Sequence, residues 1–462
     1  MLHKKKFVLT AAFVAIAVIW VVFPVRIDIL TPRLGIPVIG QAGDRVSIVV
    51  KSSLPLYFPA IRWQLRSGEN QYALPIIATH TGFASKEFVV VLPSDIQTGA
   101  YSLLGQIREE RQIEHRKAVH IYDSVPENFS MVQLADLPTL GGDGSGDQLL
   151  QQIISEINII NPNVVLFTGD IAYGGSWDQY RRLVDAMALV DAPVIAVAGN
   201  HEYEGWAGYL HYFNEPYHAV DYGRYKFISL NSGHSRDQMT QSQFHWLLDQ
   251  FQQLQDQTPV VQIHHPVHHS EGQRGYVHVK ADELVALFKK YGVPIVMSGH
   301  WHGDMVFDEQ GNERRDTWDF PGTAYVATTT AGADLREAYS ASPLHHGYRL
   351  IRLKNNKLES YTYDYNGDGQ RDAAASIPVG KLNVIRGNGN SVTVHNELYE
   401  DFPNAKIVLI SPDTETQWQP SQGRILRQMK RDGETVFEIL VDLPANSKTT
   451  IALQATITEA SH

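Results

Sequence analysis

The stretch Val164-Val-Leu-Phe-Thr-Gly-Asp170-Ile-Ala-Tyr173 decides the fold. Four consecutive apolar residues without polar alternation mark a strand covered on both faces. The Thr-Gly-Asp that follows ends this strand in a turn bearing a carboxylate. Upstream, residues 148–160 carry apolar side chains at 149, 150, 153, 154, 157 and 160, the period of a helix. Residues 129–134 before them read as another strand. Downstream the rhythm continues through helix 180–190, strands 194–198 and 226–230, helix 241–254, strand 260–263, helix 281–290 and strand 295–297. Such repeats predict an α/β architecture of sheets flanked by helices, with a site just beyond the strand carboxyl ends.

Five of those ends finish in residues able to bind a metal: Leu134-Ala-Asp136, Thr168-Gly-Asp170, Gly199-Asn200-His201-Glu202, Val261-Gln-Ile-His264-His265 and Gly299-His300-Trp-His302. One such end alone is ordinary turn chemistry. Turn chemistry gives no reason to place Asp, Asp, Asn, His and His-x-His at five strand ends in succession. Imidazole and carboxylate suit first-row metals, and so many donors exceed the needs of one ion. Two ions sharing one carboxylate are the natural solution.

Composition agrees. Of the 20 histidines, 12 lie between His201 and His302, about a fifth of the chain. The 462 residues contain no Cys, which excludes disulfides, thiolate metal sites and cysteine nucleophiles. A net charge of −11 leaves no basic surplus for phosphate backbones, so no nucleic-acid binding is expected beyond a possible nucleotide substrate.

The flanks differ from this α/β region. Residues 26–125 alternate short β-branched runs with Gly and Pro, predicting a β-sandwich domain. The catalytic domain is placed at 126–370, and 371–462 returns to β patterning as a C-terminal β-rich domain. Residues 7–25 are uncharged and follow Lys4-Lys-Lys6, predicting an uncleaved N-terminal membrane anchor over 1–25. The expectation is therefore a single-pass membrane protein with its N-terminus cytoplasmic, its catalytic domain periplasmic or extracellular, and the lipid bilayer as a partner. Asp364-Tyr-Asn366-Gly-Asp368-Gly matches the first half of a calcium loop but lacks the twelfth-position carboxylate; a polar turn explains it equally well.

The order of the five motifs resembles the calcineurin-like metallophosphoesterase superfamily, whose pattern is D-x-H, GD, GNH[DE], H and GHxH. In detail it is similar to the purple acid phosphatase branch, which reads D-x-G, GD-x-x-Y, GNH[DE], V-x-x-H and GHxH. Gly169-Asp170-Ile-Ala-Tyr173 and Val261-Gln-Ile-His264 fit that branch. Asp136-Leu-Pro138 departs from both, having Pro where the superfamily has a metal-binding His. Either the first site is weakened, or Tyr173 replaces the lost donor as a phenolate.

The resemblance implies a sandwich of mixed sheets flanked by helices. It implies metal one bound by Asp136, Asp170, Tyr173 and His302, and metal two by Asp170, Asn200, His264 and His300, with Asp170 bridging. A phenolate favours Fe(III), paired with a divalent Fe, Zn or Mn ion. His201 is the expected catalytic group, protonating the leaving oxygen or clamping the phosphoryl group. Glu202 either orients it or lies at the surface. His265 reads as a neighbour of the ligands, His345-His346 as structural, and His268, His269 and His278 as undecided substrate-side candidates. The implied function is hydrolysis of phosphate esters by a hydroxide held at the two ions, acid-phosphatase-like. The rivals are a phosphodiesterase or nucleotide pyrophosphatase on the same site, with loops 203–224 and 265–280 choosing the substrate, or a non-catalytic envelope-binding protein retaining the fold.

Overall fold

The computed structural model describes residues 25–455, apart from 110, 141–143, 235–238, 316, 318, 373–374, 388–389, 412–415 and 432. The chain forms two compact units: residues 40–121 with the segment ending at Arg33, and residues 34–39 with 122–462.

The first unit is antiparallel β. One sheet orders Ile27–Thr31, Arg45–Ser52, Ser85–Val91 and Ile76–Thr81; another contains Arg111–Ile121, Gly99–Arg108, Arg62–Ser67 and Asn70–Leu74 in that order. Alternation buries Ile48, Val50, Phe88 and Val90 of the first and Trp63, Leu65 and Leu103 of the second. Trp63 meets Phe88 edge-on with ring centres 5.5 Å apart.

In the second unit, one six-stranded sheet runs Val194–Val197, Val164–Thr168, Asn128–Leu134, Gly347–Lys354 and Lys357–Ser360, with Ile377–Pro378 added beside Gly347–Lys354. The other runs His218–Tyr222, Tyr225–Leu230, Thr258–Ile263, Ile295–Ser298, Ala324–Ala327 and Met305–Phe307. Neighbouring strands carrying the five motifs are parallel within each sheet. Their apolar runs are buried on both faces. Phe129, Met131, Leu166 and Ile195 meet Phe227, Val260, Ile295 and Met297 in a shared core. Val132, Leu134, Val165 and Phe167 face the helices Ser145–Ile160 and Trp177–Met187 on the other side. Helices Gln241–Gln252 and Ala281–Lys290 cover the second sheet in the same way. The result is a sandwich of mixed sheets with helices outside, as expected for this α/β region.

A polar layer crosses the core below the motif loops. Gln133 Nε2 donates to Thr168 Oγ1 (3.0 Å) and to the Ser298 carbonyl (2.8 Å), while Thr328 Oγ1 donates to Gln133 Oε1 (2.7 Å). All four residues are buried, and the bonds fix the register of one sheet against the other.

Residues 382–455 form a four-stranded and a three-stranded antiparallel sheet. Ile407, Leu409, Ile439 and Leu453 from these sheets share a core with Ile153 and Ile157 of helix Ser145–Ile160. On that helix, buried Glu156 accepts from Gly380 N–H (2.8 Å) and Tyr348 O–H (3.0 Å). Burial outweighs these bonds and pushes its carboxyl up from 4.5 to about 7. The folded chain therefore keeps this proton after the unfolded chain has released it. Its stabilising contribution is full below pH 4.5 and is lost as pH rises to 7, by about 3 kcal/mol. Glu156→Gln should flatten the stability–pH curve in that window and raise the melting temperature at pH 8. An unchanged slope would refute the assignment.

One expectation is corrected. No helix among the described residues is long and apolar enough to cross a membrane. The longest, Ser145–Ile160, has 16 residues and includes Asp147 and Glu156, short of the roughly 20 apolar residues a span needs. Residues 7–25, on which the anchor was predicted, lie outside the described residues except for Val25. The single-pass localisation, the periplasmic or extracellular placement and the bilayer partnership fall with that helix.

Candidate metal centre

Three motif loops follow adjacent strands of the first sheet and two follow adjacent strands of the second, so all five open at strand carboxyl ends. Four of the proposed ligands have left-handed backbones, with φ of 50° at Asp136, 49° at Asp170, 68° at His300 and 56° at His302. That conformation is costly for residues with side chains and persists where surrounding contacts dictate it. The motif glycines have a steric reason. A Cβ on Gly199 would come within 2.2 Å of Asp170 Oδ1, and one on Gly169 within 2.4 Å of His264 Nδ1.

Asp136 and His302 form one half of the site. His302 Nε2 lies 3.2 Å from Asp136 Oδ1, and the His300 N–H donates to Asp136 Oδ2 (2.8 Å). Both side chains are buried, and Asp136 Oδ1 has no hydrogen-bond partner among the described residues. His302 Nδ1 bonds the Asp334 carbonyl at 2.5 Å; a carbonyl only accepts, so Nδ1 carries a proton and Nε2 is turned to the carboxylate.

Asp170, Asn200, His264 and His300 form the other half. His264 repeats the arrangement: Nδ1–H donates to the Thr168 carbonyl (2.9 Å), leaving Nε2 at 3.2 Å from Asp170 Oδ2 and 3.2 Å from Asn200 Oδ1. Among the described residues, Asp170, His264 and His300 are the one set of three His or acidic side chains whose ligand atoms all lie within 4.8 Å of one another.

Electrostatics follow from burial set against pairing. Burial alone would raise the Asp170 carboxyl, but the His264 charge and hydrogen bond win and hold it below the carboxylate range. Burial would likewise lower His264, yet Asp170 pushes it up to about 9. Burial would lower His302 too, but the Asp136 carboxylate beside it and the Asp334 carbonyl together raise it. His300 is held well below its usual value by burial and by His265 and His264. Two buried carboxylates, two imidazoles whose Nδ1–H groups are held by main-chain carbonyls so that Nε2 faces the carboxylates, and an orphaned carboxylate oxygen make a donor set that fits cations once those Nε2 protons are displaced.

His201 stands at the rim. Its N–H donates to Asp170 Oδ1 (2.9 Å), its Nε2 is 3.9 Å from Asp170 Oδ2, and its Nδ1 is 3.3 Å from Glu204 Oε1. Tyr173 stacks on this imidazole with ring centres 3.9 Å apart. Glu202 neither orients His201 nor lies at the surface. It is fully buried, and its carboxylate accepts from the backbone N–H groups of Gly199 (2.5 Å), Asp170 (3.0 Å) and Ala172 (2.9 Å), tying two motif loops together. Adjacent Glu204 takes the position beside His201 instead.

The other histidines separate. His265 is buried, bonds Ser232 Oγ through Nδ1 (2.7 Å), and lies 4.2 Å from the His300 ring. His268 packs on Tyr325 at 4.4 Å. His269 stacks on Tyr276 at 3.5 Å, and Tyr276 lies 4.0 Å from His278. His345 and His346 bond the carbonyls of Ser376 and Ala333. In the 364–369 loop the carboxylates of Asp364 and Asp368 accept the loop's own N–H groups, as a polar turn does. Sequence reasoning missed the orienting carbonyls of Thr168 and Asp334, which have no residue signature, and Arg336, which belongs to no motif.

Residues 129–304 match the family model described as calcineurin-like phosphoesterase, and the chain carries a domain of that family. Over 175 residues, 33% of this chain, it is 26% identical to a probable glycerophosphodiester phosphodiesterase of Arcobacter nitrofigilis and spans 62% of that protein. Over 76 residues, 16% of this chain, it is 34% identical to a probable cyclic nucleotide phosphodiesterase of Moraxella catarrhalis and spans 27% of it. A solved purple acid phosphatase from yellow lupin seeds is similar over 77% of this chain and 70% of its own, at 14% identity and a TM-score of 0.48.

Proposed function

We propose that this chain is a metal-dependent hydrolase of phosphoric esters. The observation that carries the proposal is the doubled arrangement at Asp136–His302 and Asp170–His264, in which each buried carboxylate faces an imidazole Nε2 at 3.2 Å. Asp136, Asp170, Tyr173 and His302 would hold one ion, and Asp170, Asn200, His264 and His300 the other, with Asp170 shared. Bound there, the ions would act as Lewis acids toward a phosphate and a water. Tyr173 makes Fe(III) the reading for the first ion, with Fe, Zn or Mn in the second place.

The chain's own groups do the rest. The Thr168 and Asp334 carbonyls fix the tautomers of His264 and His302. Glu202 holds the Asp170 and Asn200 loops in register. His201, half-exposed beside Asp170 and backed by Glu204, would hold a proton at Nε2 for the departing oxygen. The primary reading is an acid-phosphatase-like monoesterase. A phosphodiesterase is the second reading, favoured by the names of the two curated relatives along the matched segment.

The test is metal content and turnover of an aryl phosphate monoester, an aryl diester and a nucleotide under several metal loadings. Near two ions per chain are expected, with activity lost on chelation and restored by metal. Content far below one ion would overturn the proposal. Tyr173→Phe should abolish visible phenolate-to-iron absorption; a persistent band would remove Tyr173 from the ligand set.

A further inference from the structure

Residues 330–340 belong to none of the five motifs, yet they are built onto the site at both ends of the first metal half. Thr330 Oγ1 donates to the Asp136 carbonyl (2.6 Å), and the Ala331 N–H donates to the Ala135 carbonyl (2.9 Å). Gly332 lies against Pro138 so closely that a Cβ on it would come within 2.5 Å of the Pro138 ring. Asp334 supplies the carbonyl that orients His302. Tyr339 stacks on Trp301 at 5.8 Å, between the two histidines of the Gly299–His302 loop.

Arg336 sits in the middle of this anchored segment. Its backbone N–H donates to the His302 carbonyl (3.4 Å), and its Nη1 donates to the His300 carbonyl (3.3 Å). The guanidinium is thus held beside the His300 carbonyl, while the Arg336 main chain is tied to His302. It is exposed to solvent and has no acidic partner among the described residues. A guanidinium has five N–H donors, and one spent on a carbonyl leaves others free for an anion. The chain's net negative charge makes such an unpaired cation beside a proposed phosphoryl site informative.

We propose that Arg336 binds the phosphoryl oxygens of the substrate and biases the site toward the doubly charged group of a phosphate monoester over the single charge of a diester. This rests on the phosphoester-hydrolase reading above. Pro138 gives it a structural logic. The ring at the third position of the first motif is what Gly332 packs on, and that contact brings the Arg336 segment to the site.

The probe is inorganic phosphate titrated into the metal-loaded full chain, alongside kcat/KM for an aryl monoester and an aryl diester. Arg336→Gln should weaken phosphate binding about tenfold to a hundredfold, the range for a lost charge-assisted hydrogen bond, with unchanged metal content and melting temperature. The monoester-to-diester ratio of kcat/KM should fall with it. Arg336→Lys, which keeps the charge but not the fork, should recover part of both. Unchanged phosphate affinity and ratio in Arg336→Gln would overturn the proposal. So would loss of metal, which would make Arg336 a positioning residue for His300 and His302. A wild-type protein that hydrolyses neither ester yet binds phosphate through Arg336 would defeat the hydrolase reading alone.

Discussion

Asp170→Asn should abolish the two-ion content of the protein and reduce turnover by at least the order of 10²–10³-fold that follows loss of one key electrostatic contact in a reacting site. The substitution is nearly isosteric, so the His201 N–H can still reach an oxygen at the Oδ1 position, 2.9 Å away in the native site. What disappears is the charge. The Asp170 carboxylate is the group that outweighs burial at His264, through a contact of 3.2 Å, and the only ligand assigned to both ions. With an amide there, the second oxygen position becomes an N–H₂ donor directed at the ligand face of His264, which opposes a cation twice over. Metal analysis of the purified variant, read together with ester turnover, separates this from simple unfolding when the melting temperature is also followed. Two ions per chain with near-native turnover would remove Asp170 as the bridge and with it the dinuclear arrangement.

The proposed ligand positions could be read from the sequence because a sheet of this kind gathers loop residues at its strand ends. Asp136, Asp170, Asn200, His264 and the two histidines of the Gly299–His302 loop announce themselves by following apolar runs, and those runs became strands. The supporting groups were not legible for a physical reason. His302 and His264 are oriented by main-chain carbonyls, and every residue has one. Glu202 was visible, but its sequence position beside His201 suggested a partnership that the backbone does not permit. The short helical turn His201–Gly205 sends adjacent side chains in different directions, and the one buried acid went to three N–H groups. The strand Ala324–Ala327 escaped because four small or mixed residues have no readable period, although it lies inside the second sheet. The start of helix Trp177–Met187 was readable and was set three residues late, at 180. Ser176 and Gln179 form a capping box, S-x-x-Q, that marks the boundary by itself. The anchor expectation had a different weakness, since it rested on residues 7–25 alone and no described helix has the length or composition to sustain it.

Asp304 and Arg349 should show the largest stability effect in the chain. Asp304 lies two residues beyond His302, and Arg349 lies on Gly347–Lys354 of the other sheet, so their bond joins the two halves of the sandwich behind the proposed metal ligands. Both are completely buried, with Arg349 Nη2 2.7 Å from Asp304 Oδ1. Asp304 also accepts from Thr329 N–H (3.0 Å), Ser342 Oγ (2.9 Å), Ser376 N–H (3.1 Å) and Ser376 Oγ (2.6 Å). Arg349 in turn donates to Thr328 Oγ1 (2.9 Å) and the Tyr361 carbonyl (2.9 Å). Asp304→Asn keeps the volume but leaves a guanidinium charge buried without its counter-charge, which costs about 3–5 kcal/mol. Replacing both partners with apolar residues, Asp304→Leu with Arg349→Met, removes the stranded charge and should recover part of that loss. Urea unfolding of Asp304→Leu, Arg349→Met and the double variant measures the coupling directly. A double variant no more stable than the worse single one would show that Asp304 acts through its serine and backbone bonds and not through Arg349. Because the pair fixes the chain just beyond His302, the single variants should also lose metal from the Asp136–His302 half before the Asp170–His264 half.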